Sequence, residues 1–285
     1  MLRYRADLQT VCYMLVTTAL PLLQWRLDEF HLPLWLASLV MAFAVGAMHH
    51  NHAHVAMWHS RRMNTLTDYW FTFFQGHPGY AFVPAHLDNH HRHRNRAQDH
   101  TRTWRLRDDN SLAGCLRHPF ESAAVLLPVL VGWLQRLRRE QPAQFRRICS
   151  HYGVLAAALA LLLMLDVRKT LLFVMLPQAA ALFFLLVSNY LQHAHTDDSS
   201  SWNHSRNFLG WLNPLFFNVG YHTAHHHHSR LHWSRLAAAH VRIASRIDPR
   251  LIEESFSWYC LRVFFLAPFL PKLRSRPLRG QTRQA

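Results

Sequence analysis

Four apolar stretches of this chain are long enough, or nearly so, to cross a lipid bilayer as helices. A transmembrane helix needs about twenty mainly apolar residues, with a lower limit of about seventeen. Polar flanks extend the shorter stretches, and two short polar turns, residues 28–31 and 166–169, join the four into two hairpins. The sequence therefore predicts an all-α integral membrane protein with four transmembrane helices, at about residues 8–25, 33–48, 151–165 and 170–188.

A fifth apolar stretch, residues 120–134, is expected not to cross the membrane. It is shorter than a bilayer requires and contains Glu121 and Pro128. Basic residues flank both ends, which places both ends on the cytoplasmic side by the positive-inside tendency. We therefore expect an interfacial or re-entrant segment here. The stretch RVFFLAPFLPKLR is also too short to span, and the Arg-rich tail after it is expected on the same basic face.

The charge balance of the chain is strongly basic. Lys and Arg number 31 against 16 acidic residues, which gives a formal net charge of +15. Because long apolar segments accompany this charge, it indicates a membrane surface or acidic partners, and no nucleic acid. The four cysteines form no CxxC pair, so neither a disulfide framework nor a thiolate metal site is indicated. We expect a single domain over residues 1–285.

Histidine is the most informative residue type in this sequence. All of the 24 histidines except His31 fall on the side of the predicted helices that we assign to the cytoplasm, where they would form a His-rich helical cap. Residues four apart on a helix share a face, so side chains at i and i+4 can converge on one ion. Four clusters have such spacing: His50 and His54; His86, His90 and His91; Asn189 and His193; and His222, His225 and His226.

The number of clustered histidines predicts two metal ions. Nine imidazoles exceed the four ligands of a tetrahedral site, so one ion cannot use them all. Imidazole suits zinc, copper, iron or nickel, so ligand chemistry alone leaves the metal open. In the first cluster, His49 and His52 offer alternative pairings.

The four clusters, in this order after two helical hairpins, resemble the histidine boxes of the membrane fatty acid desaturase superfamily. The boxes are HxxxH, HxxxHH, NxxxH and HxxHH, and the similarity covers most of the chain. The resemblance implies two iron ions, with O2 as a cosubstrate, and a site in which Asn189 reaches a metal through water. The metal-binding histidines would be His50, His54, His86, His90, His91, His193, His222, His225 and His226.

The resemblance also implies a reaction and its partners. We expect a desaturase that introduces a double bond into a fatty acyl chain carried as an acyl lipid, acyl-CoA or acyl-ACP. The sequence has no flavin or nicotinamide fingerprint, and GHPGY is more typical of a turn than of a haem-binding loop. A separate electron donor of the ferredoxin, rubredoxin or cytochrome type is therefore implied. The expected location is a bacterial inner membrane, with both termini cytoplasmic.

Two alternatives and one set of supporting residues remain open. Hydroxylases and ketolases of the same superfamily share these boxes, so the boxes do not separate them from desaturases. A His-rich metal transporter is less compatible, because transport sites use ionisable residues within spanning helices and the apolar centres here lack them. Ligand histidines are usually oriented by nearby acceptors, and proximity in sequence makes these carboxylates the candidates: Asp68, Asp88, Asp197 and Asp198.

The predicted topology is testable by cysteine labelling in intact cells, in a background without the native cysteines. We expect His31→Cys to react with an impermeant maleimide from outside, because it lies in the turn between the first two crossings. Arg138→Cys should react only after the membrane is opened. External labelling of Arg138→Cys would contradict the assignment of residues 120–134 as a segment that does not cross.

Overall fold

The computed structural model describes residues 1–279, and the end of the Arg-rich tail lies outside the described residues. The described chain is mainly helical and has almost no sheet. Its α-helices are α1 (Asp7–Arg26), α2 (Leu32–His54), α3 (Arg61–Gln75), α4 (His91–His93), α5 (Leu112–Glu140), α6 (Pro142–Leu165), α7 (Val167–Thr170), α8 (Leu176–His193), α9 (Leu212–Leu215), α10 (His222–His227), α11 (Leu236–Ile243) and α12 (Phe256–Cys260).

Shorter elements complete the secondary structure. Three segments have π-helical geometry: Val83–His90, Leu171–Met175 and Leu261–Leu266. Five single turns are 3₁₀ helices: Gly79–Ala81, Trp233–Arg235, Ala244–Arg246, Pro249–Leu251 and Pro271–Leu273. Two short strands, β1 (Asn207–Phe208) and β2 (Ile252–Glu253), pair in parallel, with Asn207 opposite Ile252 and Phe208 opposite Glu253.

Polar residues set several helix boundaries. The Ser60 side chain accepts a hydrogen bond from the Met63 amide at the start of α3, and Gly76 ends that helix with a φ of 78°. Such a left-handed residue at a helix end favours glycine. Asp166 is extended and its carboxylate accepts a hydrogen bond from the Lys169 amide at 2.8 Å, which caps α7. The predicted turn over residues 166–169 is therefore a single residue, Asp166, because Asp166 caps α7 and that helix begins at the next position.

The predicted all-α class with four long apolar helices is confirmed. Among residues 1–279, four helices are long and apolar enough to cross a membrane by length and composition: Leu32–His54, Leu112–Glu140, Pro142–Leu165 and Val167–His193. Three of them contain the predicted spans 33–48, 151–165 and 170–188, with longer bounds because the helices continue into their polar flanks.

The remaining candidate helix is α5, which contains residues 120–134. Pro119 and Pro128 lie inside α5 without ending it, so the segment is part of one continuous helix. In the apolar windows of α5 and α6 only 17% of the residues are buried in the protein, which leaves wide apolar surfaces for lipid. Length and composition place α5, and not α1, among the candidate spans; the crossing of α1 and the interfacial placement of α5 stay predictions.

The chain forms two compact units, and the single-domain assignment stays a prediction. The first unit comprises Met1–Val83 and Leu130–Leu185. Within it, the Gln24 amide of α1 donates to the Ser38 hydroxyl of α2 at 2.9 Å, and both side chains are buried. Trp133, Leu137 and Ile148 form its compact apolar cluster. A buried polar contact therefore links the two helices of the first hairpin.

The second unit comprises Pro84–Val129 and the chain from Leu186 onward. One apolar cluster packs Phe208 and Tyr259 against Tyr190 and Leu191 of α8. A second cluster packs Ala224 of α10 with residues that include Ile243, Ile247 and Leu251. The second cluster fixes α10, which carries the last histidine box, to the described C-terminal segments.

Gly220 lies two positions before the first residue of α10 and is tightly packed. Its amide donates to the Asn213 side-chain oxygen at 2.8 Å, and its carbonyl accepts from the Phe208 amide at 2.9 Å. A methyl group at this position would lie 2.6 Å from the Asn213 side-chain oxygen and even closer to the Phe208 carbonyl. No side chain larger than hydrogen fits there without displacing the start of α10.

We therefore expect Gly220→Ala to destabilise the second unit by about 1–3 kcal/mol, the usual cost of overpacking. Thermal unfolding of the purified protein in detergent should show a lower Tm. The matched control is Gly132→Ala in α5, where the new methyl group meets nothing within 4 Å. That change should leave the Tm equal or slightly higher, because alanine favours helix over glycine. Equal Tm losses in the two variants would contradict the packing argument.

Candidate metal centre

The second histidine box lies in a π-helical segment, and this geometry separates two neighbouring histidines. A π-helix aligns residues i and i+5, whereas an α-helix aligns i and i+4. His86 and His91 are accordingly on one face, with their Nε2 atoms 3.0 Å apart. His90, which the α-helical spacing pairs with His86, turns to another group of histidines. The HxxxHH pattern predicts α-helical spacing here, and that prediction is wrong for this box.

His90 joins three histidines from α8 and α10. The Nε2 atom of His193 lies 2.9 Å from that of His222 and 3.3 Å from that of His226, and His222 and His226 are 3.1 Å apart. One ligand atom from each of the four residues lies within 4.8 Å of all the others, and all four side chains are buried. We call His90, His193, His222 and His226 the inner group.

The inner group fits a metal ion. An imidazole carries one ring N–H when neutral, and the Nδ1–H of His193 donates to the His204 carbonyl at 2.8 Å. Its Nε2 lone pair therefore points at the other rings. His90 Nε2 is buried without a hydrogen-bond partner. Nitrogen ligands at about 2.1 Å from one ion lie roughly 3.0–3.4 Å apart, which is close to the spacing found here.

Electrostatics keep His226 in the form that a metal requires. Burial lowers the pKa of His226 well below its ordinary value, and repulsion from His222, His91 and His90 lowers it further. A metal ligand must be the neutral imidazole, so the lowered pKa keeps a lone pair available at neutral pH.

His225 takes a different direction from its neighbours on α10. His222 and His226 are four residues apart and share one face of the helix, whereas His225 is off that face. Its Nε2 atom lies 3.2 Å from that of His91. Together with the His86–His91 contact, this gives a second set of three converging imidazoles in the second unit, His86, His91 and His225.

In the first unit, His50 and His54 are neighbours, and their assignment as the first box stays a prediction. Their rings lie 4.7 Å apart in an edge-to-face arrangement at the end of α2. His49 instead stacks on Phe71, with Nδ1 3.3 Å from the Gln75 side-chain oxygen. His52 accepts a hydrogen bond from the Met57 amide. The alternative pairings are thus occupied by other structural contacts.

Asp99, which the sequence analysis did not select, orients His90. Its Oδ2 accepts from His90 Nδ1 at 2.7 Å, and its other oxygen accepts from the Thr101 amide at 2.8 Å. Burial alone would raise the pKa of Asp99, but the interaction with His90 and the hydrogen bonds from His90, Thr101 and Asn95 bring that pKa far below its usual range. Asp99 therefore stays ionised and fixes the Nδ1 proton of His90, which leaves Nε2 for the metal.

The four carboxylates chosen by proximity in sequence have other surroundings. Asp68 lies 3.4 Å from His52, which is outside both histidine sets, and Asp197 accepts a hydrogen bond from Ser199. Asp88 is exposed, and Asp198 offers its backbone carbonyl to Arg96. Proximity in sequence did not identify the partner of His90, because the loop that follows His90 brings Asp99 back to it. No local sequence pattern marks this contact.

Asn189 contacts a histidine that the sequence analysis left unassigned. Its side-chain oxygen accepts from His118 Nε2 at 3.0 Å, and its amide nitrogen is 3.5 Å from the Thr101 hydroxyl. Thr101 in turn contacts both His90 and Asp99. Asn189 is therefore placed at the edge of the inner group, and its role as a ligand through water stays a prediction.

Comparison with known proteins identifies the family. The sequence profile of the fatty acid desaturase family matches residues 30–268, which is most of the chain. The chain belongs to the fatty acid desaturase family. Searches of curated proteins and of solved structures gave no match. Family membership and the histidine groups together indicate a multi-pass membrane oxidoreductase of the di-iron type.

For this desaturase-family chain, Asp99→Asn should weaken metal binding without unfolding the protein. The amide keeps the shape of the carboxylate but removes the charge that fixes His90, and loss of such a partner typically costs about 10–100-fold in metal affinity. Iron retention against a chelator series, measured by elemental analysis, reports the change. The matched control is Asp248→Asn, whose carboxylate pairs with Arg250 on the surface. Native retention in Asp99→Asn would show that His90 needs no such orientation.

Proposed function

We propose that this chain is an O2-dependent di-iron desaturase that introduces a double bond into a fatty acyl chain. The observation that carries the proposal is the inner group, where four buried imidazoles from three separate parts of the chain converge with spacings suited to one ion. Family membership supports iron as that ion.

The proposed ligand set distributes the boxes over two irons. His90, His193, His222 and His226 hold one iron, with Asn189 approaching it through water. His86, His91 and His225 hold the other, and the resemblance to the superfamily adds His50 and His54 to the metal-binding histidines. When bound, the two irons supply the O2 activation needed to remove hydrogen from an unactivated carbon chain.

The residues of the chain have three tasks around that chemistry. Asp99 and the His204 carbonyl orient His90 and His193, so that each presents Nε2. Burial of the inner group excludes bulk water from the ligands. The apolar residues of the long helices surround an acyl chain, and the positioning of that chain selects the carbon attacked, because placement of reacting atoms contributes about 7 kcal/mol or more.

The substrate and orientation are proposed from charge. The excess of arginine suits an anionic head group, such as that of coenzyme A, acyl carrier protein or a phospholipid. An alkane or carotenoid hydroxylase has less need of this charge. The histidine boxes and both termini are assigned to the cytoplasmic side, in a bacterial inner membrane, where a ferredoxin, rubredoxin or cytochrome delivers two electrons per turnover.

Single substitutions test the ligand set. We expect His90→Ala, His193→Ala and His225→Ala each to lose iron and activity while the protein still inserts in the membrane, because each removes one converging lone pair. The matched control is His227→Ala on α10, whose ring bonds to the Ser201 carbonyl at 2.8 Å. It should keep native iron content. Full iron in all three variants would overturn the assignment.

Product analysis tests the reaction. Expression in cells followed by gas chromatography of their lipids should reveal new unsaturated acyl chains that are absent with His193→Ala. Desaturation and hydroxylation both begin with hydrogen removal and differ in whether a second hydrogen leaves or oxygen is returned to the carbon. Hydroxylated chains without new double bonds would replace this proposal with the hydroxylase alternative.

A further inference from the structure

An arginine-rich loop follows the second histidine box in the second unit. We call residues 92–107, RHRNRAQDHTRTWRLR, the arginine loop. It contains six arginines, and its single acidic residue, Asp99, is buried and bonded to His90. The exposed side of the loop is therefore strongly positive.

The arginines of this loop fix its shape without losing their charge. Arg96 donates to the Asp198 carbonyl at 2.8 Å, Arg102 to the Ala97 carbonyl at 2.7 Å, and Arg105 to the His100 carbonyl at 2.9 Å. A carbonyl is neutral, so these bonds order the guanidinium groups and leave their positive charge available to a partner.

Trp104 lies among these charges and is partly exposed. The guanidinium of Arg279 is 3.9 Å from the centre of one of its rings, and that of Arg102 is 5.4 Å away. Arg279 also pairs with Asp108 at 2.6 Å. Two cations beside the indole disfavour its oxidation, so Trp104 is not suited to carry a radical.

The indole is joined to a histidine of the inner group by three short hydrogen bonds. Trp104 Nε1 donates to the Asn95 carbonyl at 2.7 Å. The Asn95 amide donates to Asp99 Oδ2 at 2.7 Å, and the same oxygen accepts from His90 Nδ1 at 2.7 Å. The route from the protein surface to His90 thus crosses one residue of backbone and one carboxylate.

We infer that the arginine loop, with Trp104 at its centre, is the docking surface for an acidic protein that carries single electrons. This inference rests on the proposed function, which requires such a donor. In each encounter the carrier is oxidised by one electron and the bound metal is reduced by one, and no bond of the protein is made or broken. Electronic coupling falls less steeply through short hydrogen bonds than across open space, so the Trp104 route favours this transfer.

A lipid surface explains the charge of the loop less completely. Anionic head groups need only nearby positive charge. They have no use for a bonded connection between a partly exposed indole and a metal ligand. The route is therefore the observation that favours a redox protein over a membrane as the partner.

The charge part of the inference is tested by binding. The full chain, in nanodiscs of phosphatidylcholine, is titrated with an acidic [2Fe–2S] ferredoxin and with rubredoxin over a range of salt. Arg92→Gln with Arg107→Gln should weaken the carrier that binds by about tenfold at low salt and flatten the salt dependence. Arg61→Gln with Arg62→Gln, exposed arginines outside the loop, should bind as the native chain does. Native affinity in the loop variant, or no salt-dependent binding of either carrier by the native chain, overturns the inference.

The route is tested by Trp104→Phe, which keeps an aromatic ring and removes the N–H. We expect native carrier affinity, iron content and reduction by dithionite, but several-fold slower oxidation of the reduced carrier in stopped flow. An unchanged rate overturns the role of Trp104. Failure of the proposed function appears separately, as missing iron or missing acyl product in the native chain, whereas the binding measurement requires neither.

Discussion

The convergence of buried imidazoles is the constraint on which the second unit depends. The Nε2 atoms of His193 and His222 lie 2.9 Å apart. Two such nitrogens cannot both donate a hydrogen bond to each other. An ion bound between these rings would accept their lone pairs, which would stabilise the close approach. The fold supplies this convergence from the end of α8, from α10 and from the end of a π-helical segment, so metal binding and the packing of these elements are linked.

The π-helical segment explains how two adjacent histidines serve two different sets. In an α-helix, His90 would follow His86 on the same face and His91 would lie beside it. The wider turn places His91 with His86 and leaves His90 facing the inner group. A π-helix is less stable than an α-helix and often marks functional sites, which fits its position at this box.

The sequence predicted the class of fold and the identity of the clustered residues, because long apolar stretches and repeated HxxxH spacing are strong local signals. His50 with His54, and His222 with His226, needed only α-helical periodicity. The division of His86, His90 and His91 between the two sets of histidines depends on the π-helical backbone, which composition does not predict. The role of Asp99 was not predicted, because the fold of a loop brings it to His90. The helix that contains residues 120–134 was predicted too short, because Pro119 and Pro128 do not end α5.

Asp99 also connects the site to the charge outside it. A buried carboxylate that remains ionised needs compensating donors, and it receives them from His90, Thr101 and the Asn95 amide. Asn95 adopts a left-handed conformation, with a φ of 66°, and its side chain also donates to the His193 carbonyl at 2.8 Å. The same residue thus holds Asp99, the backbone of His193 and the indole of Trp104. The loop that presents arginines to solvent is in this way built on the contacts that orient two ligands of the inner group, so its shape and the geometry of the site are fixed together.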